Sequence, residues 1–349
     1  MGDKITTITI DELMEESYLL FDVRSPKEFE EYHIPGAKSL SIFSNEERAE
    51  IGTLYKQSGK EYAIERGLEI TAPKLTGFFQ KIKCEMQKNP GKQVVIYCAR
   101  GGMRSKSISQ TMNLMGIKSL QLIGGIRSYR KSIEQFFKKL EQRKKKIIVI
   151  EGHTGAMKTK LLENLQQEGY PVINLEKMAG HKGSIFGGIG EEAASQKMFE
   201  SRLYERLKKI QQSSCLIIES ESKRIGRVIV PQFLLEGKFS GTRIHVQVPF
   251  SMRVNYICEV YNPSLHEEQI EEAINKLTKR ISPLIMSDIQ AAVSNGDYEK
   301  VVSHLLESYY DPKYDYAKEK YESSCVDVIA DTFEELYQKV KNEIDLINN

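Results

Sequence analysis

The sequence predicts an α/β protein with two domains, each built on a parallel sheet. Three observations predict this class. The chain has 349 residues, which exceeds the usual size of a domain with a single hydrophobic core. Apolar runs of strand length alternate with segments of helical periodicity, a pattern typical of parallel sheets with crossover helices. With 40% hydrophobic and 28% charged residues, the composition is that of a folded protein.

In the first half, three short apolar runs read as strands, and each ends in polar residues or glycine: 19–25, 94–98 and 119–125. Helical patterns lie between and around them, at 11–16, 26–32, 72–87, 105–115 and 128–141. Functional sites of parallel sheets form at the carboxyl ends of strands. We therefore expect the three strand ends, with Asp22, Arg24, Cys98, Gly124 and Gly125, to carry the site of this half.

The second half also alternates predicted strands and helices. Predicted strands are 147–151, 171–175, 215–219, 243–248 and 325–330. Predicted helices are 159–168, 191–212, 251–260, 267–281, 284–294, 298–308 and 332–347. This order predicts a three-layer α/β domain with a helical insertion between its last two strands. The boundary is predicted at 138–146, a basic linker almost free of apolar residues, which leaves domains of 1–137 and 147–349.

Charge and composition exclude several classes of protein. No apolar run reaches the roughly 18 residues of a membrane-spanning helix, and the acidic N-terminal segment is unlike a signal peptide. We expect a soluble cytoplasmic protein with no membrane partner. Residues 1–146 carry 26 Lys and Arg against 18 Asp and Glu, a net charge of +8, and the remainder carries −6. This split fits either a polyanion such as nucleic acid as partner or simple variation between domains.

Cys98 ends a strand and begins the loop CARGGMRS (98–105), which leads into a predicted helix. The paired glycines let the backbone curl so that several N–H groups converge on one point. The helix N-terminus and two arginines would lower the pKa of the thiol. The sequence therefore predicts a nucleophilic thiolate in an anion cradle formed by Arg100, Gly101, Gly102 and Arg104.

The other four cysteines are expected to be buried packing residues: Cys84, Cys215, Cys258 and Cys325. Their scatter predicts neither disulfides nor a metal site. The spacing from Cys98 to Arg104 also fits cysteine phosphatases, although Tyr97 stands where those enzymes usually have His. That alternative stays open.

A second motif reads strand, loop, helix over 147–165 and contains the spacing of a phosphate-binding loop. Gly152, Thr154, Gly155, Lys158 and Thr159 are the predicted (di)phosphate-binding residues, with loop amides around the phosphate and Thr159 within reach of Mg²⁺. Met157 replaces the second glycine of the motif and cannot adopt positive φ without cost. This departure argues against ATP hydrolysis more than against phosphate binding.

Two further segments accompany the phosphate loop. Glu219 and Glu221 follow an apolar strand, as the carboxylate partner of a magnesium-bound phosphate would. The segment 175–190 has five glycines, two lysines and His181. It is either a loop that closes over a phosphate or an ordinary surface loop.

The motifs resemble known families. DVRSPKEFEEYHIPGA (22–37) followed by the cysteine loop is similar to the rhodanese fold. There the loop cysteine carries sulfur or selenium, and Asp22, Arg24 and His33 would brace loops. Together with the phosphate loop, the chain resembles the bacterial tRNA 2-selenouridine synthases. The most specific segments are 22–37, 46–70, YCARGGMRS (97–105), 123–131, 175–190, 219–231 and 309–317. The family more often has Trp after the cysteine, where this chain has Ala99.

The resemblance implies a transferase acting at a tRNA wobble 2-thiouridine. Geranyl diphosphate alkylates the sulfur, and selenophosphate then supplies selenium to give 2-selenouridine. Cys98 would carry the chalcogen and the 152–159 loop would bind the diphosphate. These are co-substrates, and no tightly bound cofactor is expected.

A tRNA anticodon arm requires cations for its phosphates and planar side chains for a splayed base. The candidate contacts are Arg127, Tyr129, Arg130, Lys131, Lys182, Arg224 and Arg227. Two other interpretations stay open: a rhodanese-type sulfurtransferase fused to a small-molecule kinase, and a persulfide relay with a phosphate-sensing domain.

Overall fold

A computed structural model describes residues 6–142, 145–318 and 325–348, with the backbone alone at 315–318. The chain divides into two compact units. The first comprises the residues up to Lys139 together with Glu200–Tyr204, and the second comprises Leu140–Phe199 and the residues from Glu205 onward. The predicted linker 138–146 begins inside a helix that ends at Glu141 and ends inside a strand that begins at Lys146. Its residues 143 and 144 lie outside the described part of the chain.

The first unit contains a five-stranded parallel sheet in the order β1-β5-β4-β2-β3. Its strands are β1 Thr7–Ile8, β2 Leu19–Asp22, β3 Lys38–Ser39, β4 Val94–Tyr97 and β5 Ser119–Leu122. Its helices are α1 Ile10–Leu13, α2 Pro26–Glu31, α3 Asn45–Gln57, α4 Lys60–Thr71, α5 Leu75–Lys88, α6 Met103–Leu114 and α7 Gly125–Glu141. β4 is buried along its whole length because it lies in the middle of the sheet.

The second unit contains a parallel sheet in the order β12-β11-β6-β8-β7. Its strands are β6 Lys146–Glu151, β7 Val172–Ile173, β8 Cys215–Glu219, β11 Thr242–Gln247 and β12 Cys325–Ile329. β9 Arg224–Ile225 and β10 Val228–Ile229 form a separate antiparallel hairpin. The predicted α/β class with parallel sheets is confirmed.

Helices of the second unit begin with α8 Lys158–Gln167, α9 Leu175–Ala179, α10 Gln196–Lys209 and α11 Gln232–Ser240. The insertion between β11 and β12 comprises α12 Phe250–Tyr261, α13 Glu267–Asn275, α14 Pro283–Ser294, α15 Tyr298–Leu305 and α16 Asp311–Lys318, with a π-helical turn at Leu306–Tyr310. α17 Phe333–Asn348 follows β12. The insertion has its own apolar core, which includes Leu277, Ile289 and Leu305. None of the described helices is both long and apolar enough to cross a bilayer.

Several sequence-based expectations differ from the structure. The helix expected at 191–212 is shorter, because Ser195 caps its start and its last turn ends at Ile210. The pair α3 and α4 had no predicted helical assignment. Segment 175–190, expected to be a loop throughout, begins with α9. Of the four cysteines expected in packing positions, Cys215 is buried and Cys258 is half-buried, but Cys84 and Cys325 are exposed. Cys325 begins β12, which is an edge strand of its sheet. The apolar pattern of a strand does not show that it lies at an edge.

Candidate functional site

The thiol of Cys98 lies where β4 ends, at the floor of a cleft of about 1160 Å³ in the first unit. The side chain is buried. One wall of the cleft is the α3–α4 helix pair, which contributes apolar residues such as Ile51, Ile64 and Leu68. Arginines and lysines line it as well: Arg48, Lys56, Lys60, Arg100, Arg104 and Arg127. The thiol therefore faces a space with both apolar and cationic walls.

The loop after Cys98 is tightly folded because glycines approach it from the end of β5. Gly101 and Gly125 both have positive φ, +64° and +57°. A Cβ on Gly125 would lie 2.2 Å from the carbonyl oxygen of Cys98 and 2.6 Å from the amide nitrogen of Gly101. The N-terminus of α7 completes the arrangement, since the Ile126 N–H donates to the Cys98 carbonyl at 2.9 Å. No side chain could be added at position 125 without opening the loop.

Polar contacts hold the thiol in a state that favours the thiolate. The Ser105 hydroxyl lies 3.2 Å from Sγ, and Gln121 donates to that hydroxyl at 3.0 Å and to the Gly101 carbonyl at 2.8 Å. Burial alone would raise the pKa of Cys98, but the Ser105 hydroxyl, the N–H groups of Arg100 and Ser105 and the charge of Arg104 lower it below its ordinary value. Ser105 and Gln121 act together here, although sequence reasoning gave neither a role.

The predicted anion cradle is partly engaged by protein groups. Arg104 forms an ion pair with Glu28 at 2.8 Å, whereas Arg100 is exposed to solvent. The bracing roles expected for Asp22 and Arg24 are confirmed: their buried side chains pair at 2.7 Å, and Arg24 also donates to the Tyr32 carbonyl at 2.6 Å. His33 lies with Nδ1 2.9 Å from the Phe29 carbonyl oxygen, again a local contact.

The phosphate loop connects β6 to α8 in the second unit. Gly152 and Gly155 have φ of +157° and +83°, and Met157 also adopts a left-handed conformation, with φ +58° and ψ +21°. From the sequence, positive φ at Met157 is expected to carry a cost, and the structure shows Met157 in this conformation. Left-handed geometry costs a non-glycine residue about 1–2 kcal/mol. Burial of the Met157 side chain, which is 7% exposed, offsets this cost.

Lys158 and Thr159 point to charged and polar partners around this loop. The Lys158 ammonium donates to the carbonyls of Gly152 and His153, at 2.7 and 3.1 Å. Burial lowers the pKa of Lys158, and the carboxylates of Glu176, Glu221 and Glu219 oppose that shift. The Thr159 hydroxyl donates to Glu176 at 3.1 Å. The ammonium is thus at the loop, close to where a bound phosphate would meet the loop amides.

Three carboxylates surround these groups. Glu219 is buried and accepts the N–H of Glu176 at 2.7 Å. Burial raises the pKa of Glu219 and of Glu176, and burial together with the charge of Glu176 raises the pKa of Glu221 to about 7. Glu176 had no predicted role because it lies 43 positions from Glu219 in the chain. In the part of the chain that the structure describes, no group of three His, Cys, Asp or Glu side chains is arranged to hold a metal ion.

A clamp from the helical insertion holds the outer side of the phosphate loop. Arg253, a buried residue of α12, donates from Nε to the Thr154 carbonyl at 2.8 Å and pairs with Asp311 at 2.6 Å. The Tyr314 ring lies 4.5 Å from the His153 ring, between ring centroids. Asp311 and Tyr314 belong to the segment 309–317, whose last three residues have no described side chains. Sequence reasoning missed both contacts with the loop and the ion pair between Arg253 and Asp311.

The predicted tRNA contacts fall into three groups. Arg127, Lys131 and Arg224 are exposed. Arg130, Lys182 and Arg227 are engaged by protein partners: Arg130 with Glu134 and Glu200, Lys182 with Glu191, and Arg227 with the carbonyls of Ala193 and Ala194. The prediction that Tyr129 contacts tRNA is wrong, because this residue is fully buried and its ring cannot stack on a base. Its spacing on α7 matches the buried face of that helix, with Ile126 and Ile133.

Comparisons with known proteins cover both units. Residues 145–345 match the family model described as the tRNA 2-selenouridine synthase AAA domain, and residues 8–132 match the rhodanese-like domain. A tRNA 2-selenouridine synthase of Nitrosomonas europaea is 34% identical over 269 residues, which are 75% of this chain and 69% of that protein. One of Psychromonas ingrahamii is 29% identical over 86% of this chain and 88% of its own length. Among solved structures, an N-terminal domain from Clostridium difficile 630 covers 37% of this chain with 38% identity and a TM-score of 0.35.

Proposed function

Because this chain belongs to the tRNA 2-selenouridine synthase family, we propose that it is a transferase that replaces the sulfur of a tRNA wobble 2-thiouridine by selenium. The observation that carries the proposal is the presence in one chain of two glycine-containing loops, each of which connects the end of a buried strand to a helix. One holds the thiol of Cys98 with a lowered pKa, and the other holds Lys158 at its centre. The first suits chalcogen transfer and the second suits departure of a phosphorylated leaving group.

The first proposed step is alkylation of the thiocarbonyl sulfur by geranyl diphosphate. A sulfur–carbon bond forms at the allylic carbon, its bond to the diphosphate oxygen breaks, and the diphosphate leaves with the electron pair. The base releases its N3 proton to solvent. Negative charge grows on the diphosphate, and Lys158 with the loop amides is placed to stabilise it. A magnesium ion bound with the diphosphate would be held by Thr159, Glu176 and Glu221, since Mg²⁺ takes oxygen ligands and substrate phosphates.

In the second proposed step, selenium displaces the S-geranyl group, and geranylthiolate leaves from C2. We assign Cys98 as the selenium carrier because its side chain lines the cleft and the lowered pKa of its thiol favours a nucleophilic thiolate. Selenium in selenophosphate is at the level of selenide. Loading it on Cys98 as S–Se⁻ therefore removes two electrons, which a disulfide accepts, while water takes the phosphoryl group. After the selenium–carbon bond forms, thiols cleave the S–Se bond, return the two electrons and regenerate Cys98.

The cleft above Cys98 is the proposed place of the wobble nucleotide. Its volume of about 1160 Å³ exceeds that of one base, and its apolar wall on α3 and α4 suits a base that carries a prenyl group. Arg127 and Arg100 are exposed cations at the same cleft and suit the neighbouring phosphates.

The deciding experiment is mass spectrometry of wobble nucleosides after incubation with thiolated tRNA, geranyl diphosphate and selenophosphate, each omitted in turn, in a buffer that supplies the disulfide and the thiol required for loading and release of selenium. We expect S-geranyl-2-thiouridine without selenophosphate and 2-selenouridine with both co-substrates. Lys158→Ala should reduce geranylation by at least tenfold but leave selenation of tRNA that is already geranylated. Unchanged geranylation in Lys158→Ala would contradict the proposal that the 152–159 loop binds the diphosphate. ATP turnover without any tRNA product would instead support a kinase fused to a sulfurtransferase.

A further inference from the structure

The second unit contains an apolar cavity that none of the roles above uses. It has a volume of about 60 Å³ and lies among α12, α13, α15 and the glycine-rich segment 175–190. Its wall is formed mainly by aliphatic and aromatic side chains, among them Phe186, Ile257, Ile270, Val302, Leu305 and Leu306. The lining has the composition of a hydrophobic core, but the side chains leave a space between them where a core is normally close-packed.

The phosphate loop contributes a residue to the lining of the cavity. Thr154, one of the predicted phosphate-binding residues, lines it, and the clamp from Arg253 fixes the Thr154 carbonyl at this position. Ser184 of the glycine-rich segment also lines the cavity, and its hydroxyl lies 3.4 Å from that of Tyr261. The cavity therefore combines one residue of the predicted phosphate-binding loop with a mostly apolar lining.

We propose that this cavity receives the prenyl chain of the diphosphate whose head lies in the 152–159 loop. The inference rests on the proposed function, because it gives a place to the apolar part of that co-substrate. A molecule with a diphosphate at one end and an isoprenoid chain at the other matches this combination. A nucleotide does not match, because its base and ribose would lose water without gaining hydrogen bonds from this lining.

Because the cavity is small, binding of the diphosphate should depend strongly on the length of its prenyl chain. A cavity of about 60 Å³ is smaller than the roughly 150 Å³ that holds benzene in an engineered core. A prenyl chain therefore enters with side-chain rotation or movement of the segment that carries Ser184 and Phe186. Gly183 and Gly190 bracket this segment and both have positive φ. Residues at the inner wall should decide how long a chain is accepted.

Substitution of Val302 tests this directly. The full chain is assayed with thiolated tRNA and with dimethylallyl, geranyl or farnesyl diphosphate. We expect Val302→Phe to lower the use of geranyl relative to dimethylallyl diphosphate by at least tenfold, and Val302→Ala to improve the use of farnesyl diphosphate. Leu284→Phe is the matched control, because Leu284 is 82% exposed on α14 and does not line the cavity. It should leave the preference unchanged.

Cys258 provides a second measurement that does not need tRNA or turnover. Its half-buried side chain lines the cavity, so geranyl diphosphate should slow its alkylation by N-ethylmaleimide several-fold, as followed by peptide mass spectrometry. Inorganic diphosphate should not. The exposed Cys84 of the other unit serves as the internal control.

The outcomes separate the two proposals. If the wild-type chain geranylates tRNA but both Val302 variants keep its chain-length preference and Cys258 reacts unprotected, the cavity is not the prenyl site and the proposed function stands. If the wild-type chain transfers no prenyl group to tRNA, the proposed function itself fails. Protection of Cys258 by ATP and not by geranyl diphosphate would overturn the assignment in favour of a nucleotide.

Discussion

At the residue scale, the hydroxyl of Ser105 lies 3.2 Å from Sγ of Cys98 and is one of the groups that lower the pKa of this thiol. Because its hydrogen bond to Sγ favours the thiolate, Ser105→Ala should raise the pKa of Cys98. A higher pKa lowers the thiolate fraction at a pH below it, and the thiolate is the form that reacts. We expect alkylation of Cys98 by iodoacetamide at pH 7 to slow several-fold, and the rate to return to the wild-type value at a pH above both pKa values.

Ser107 is the matched control for this measurement. It lies on the same helix, is exposed, and donates its hydroxyl to the Arg104 carbonyl at 3.2 Å rather than to the thiol. Ser107→Ala should leave the pH profile of Cys98 alkylation unchanged. Equal profiles for Ser105→Ala and the wild-type chain would show that the backbone amides and Arg104 alone set the pKa.

The residues that sequence reasoning found and missed differ in a physical way. Cys98 and Lys158 were found because their chemistry depends on spacing within one loop. Gln121 and Arg253 were missed because each acts across a long separation in the chain, 20 positions to Gly101 and 99 to Thr154. Such contacts exist only after the sheets have formed, and no local pattern indicates them.

At the scale of elements, the left-handed backbone of Met157 at the start of α8 is expected to lower the stability of the folded chain, and this effect can be measured. Met157 has φ +58°, so the Cβ of any residue other than glycine is strained there. Comparison of Met157→Gly with Met157→Ala isolates this cost, since both variants lose the long side chain. We expect the glycine variant to be more stable by about 1 kcal/mol, measured as the thermal unfolding of the full chain.

Met286 provides the opposite case. It is a buried methionine inside α14, where Ala is favoured over Gly by about 1 kcal/mol. The order of the two variants should therefore be reversed at this position. If Ala were the more stable residue at both positions, the left-handed geometry of Met157 would not be a property of the folded protein.

The helix pair α3 and α4 shows why some elements escaped prediction. α3 has no buried residue and α4 has only Ala63. Helices are recognised from sequence by an apolar stripe that faces a core. These two instead place apolar side chains such as Leu68, 65% exposed, along the cleft above Cys98. Ile51 and Ile70 of the pair pack, partly buried, against the core of the unit, so the apolar pattern of the two helices reflects the cleft as well as the core.

At the scale of the whole molecule, the class of fold was predictable but the strand orders were not. Alternation of buried runs and helical segments is enough to indicate parallel sheets. It is compatible with many orders of strands, and the observed β1-β5-β4-β2-β3 and β12-β11-β6-β8-β7 depend on pairings between distant segments. The charge of +8 belongs to residues 1–146 and that of −6 to residues 147–349, a division that differs from the two compact units. Exposed cations such as Arg127 and Arg224 occur on both sides of it.

The two proposed steps use different loops of the chain, so they should be separable and able to complement each other. Cys98→Ser should accumulate geranylated tRNA without selenation, whereas Lys158→Ala should selenate only tRNA that is already geranylated. The intermediate between the steps is a modified tRNA that is not covalently attached to the protein. A mixture of the two variants should therefore form 2-selenouridine from thiolated tRNA, as measured by nucleoside mass spectrometry.

The rate of the mixture distinguishes two ways of passing the tRNA between the sites. If tRNA dissociates between the steps, the mixed variants should approach the wild-type rate, and unlabelled geranylated tRNA should compete with the labelled intermediate in the wild-type reaction. If the tRNA stays on one chain through both steps, the mixture should be slow at low protein concentration and the wild-type reaction should resist competition. Failure of the mixture to form any 2-selenouridine, with each variant active in its own half-reaction, would mean that both loops must act on one bound tRNA.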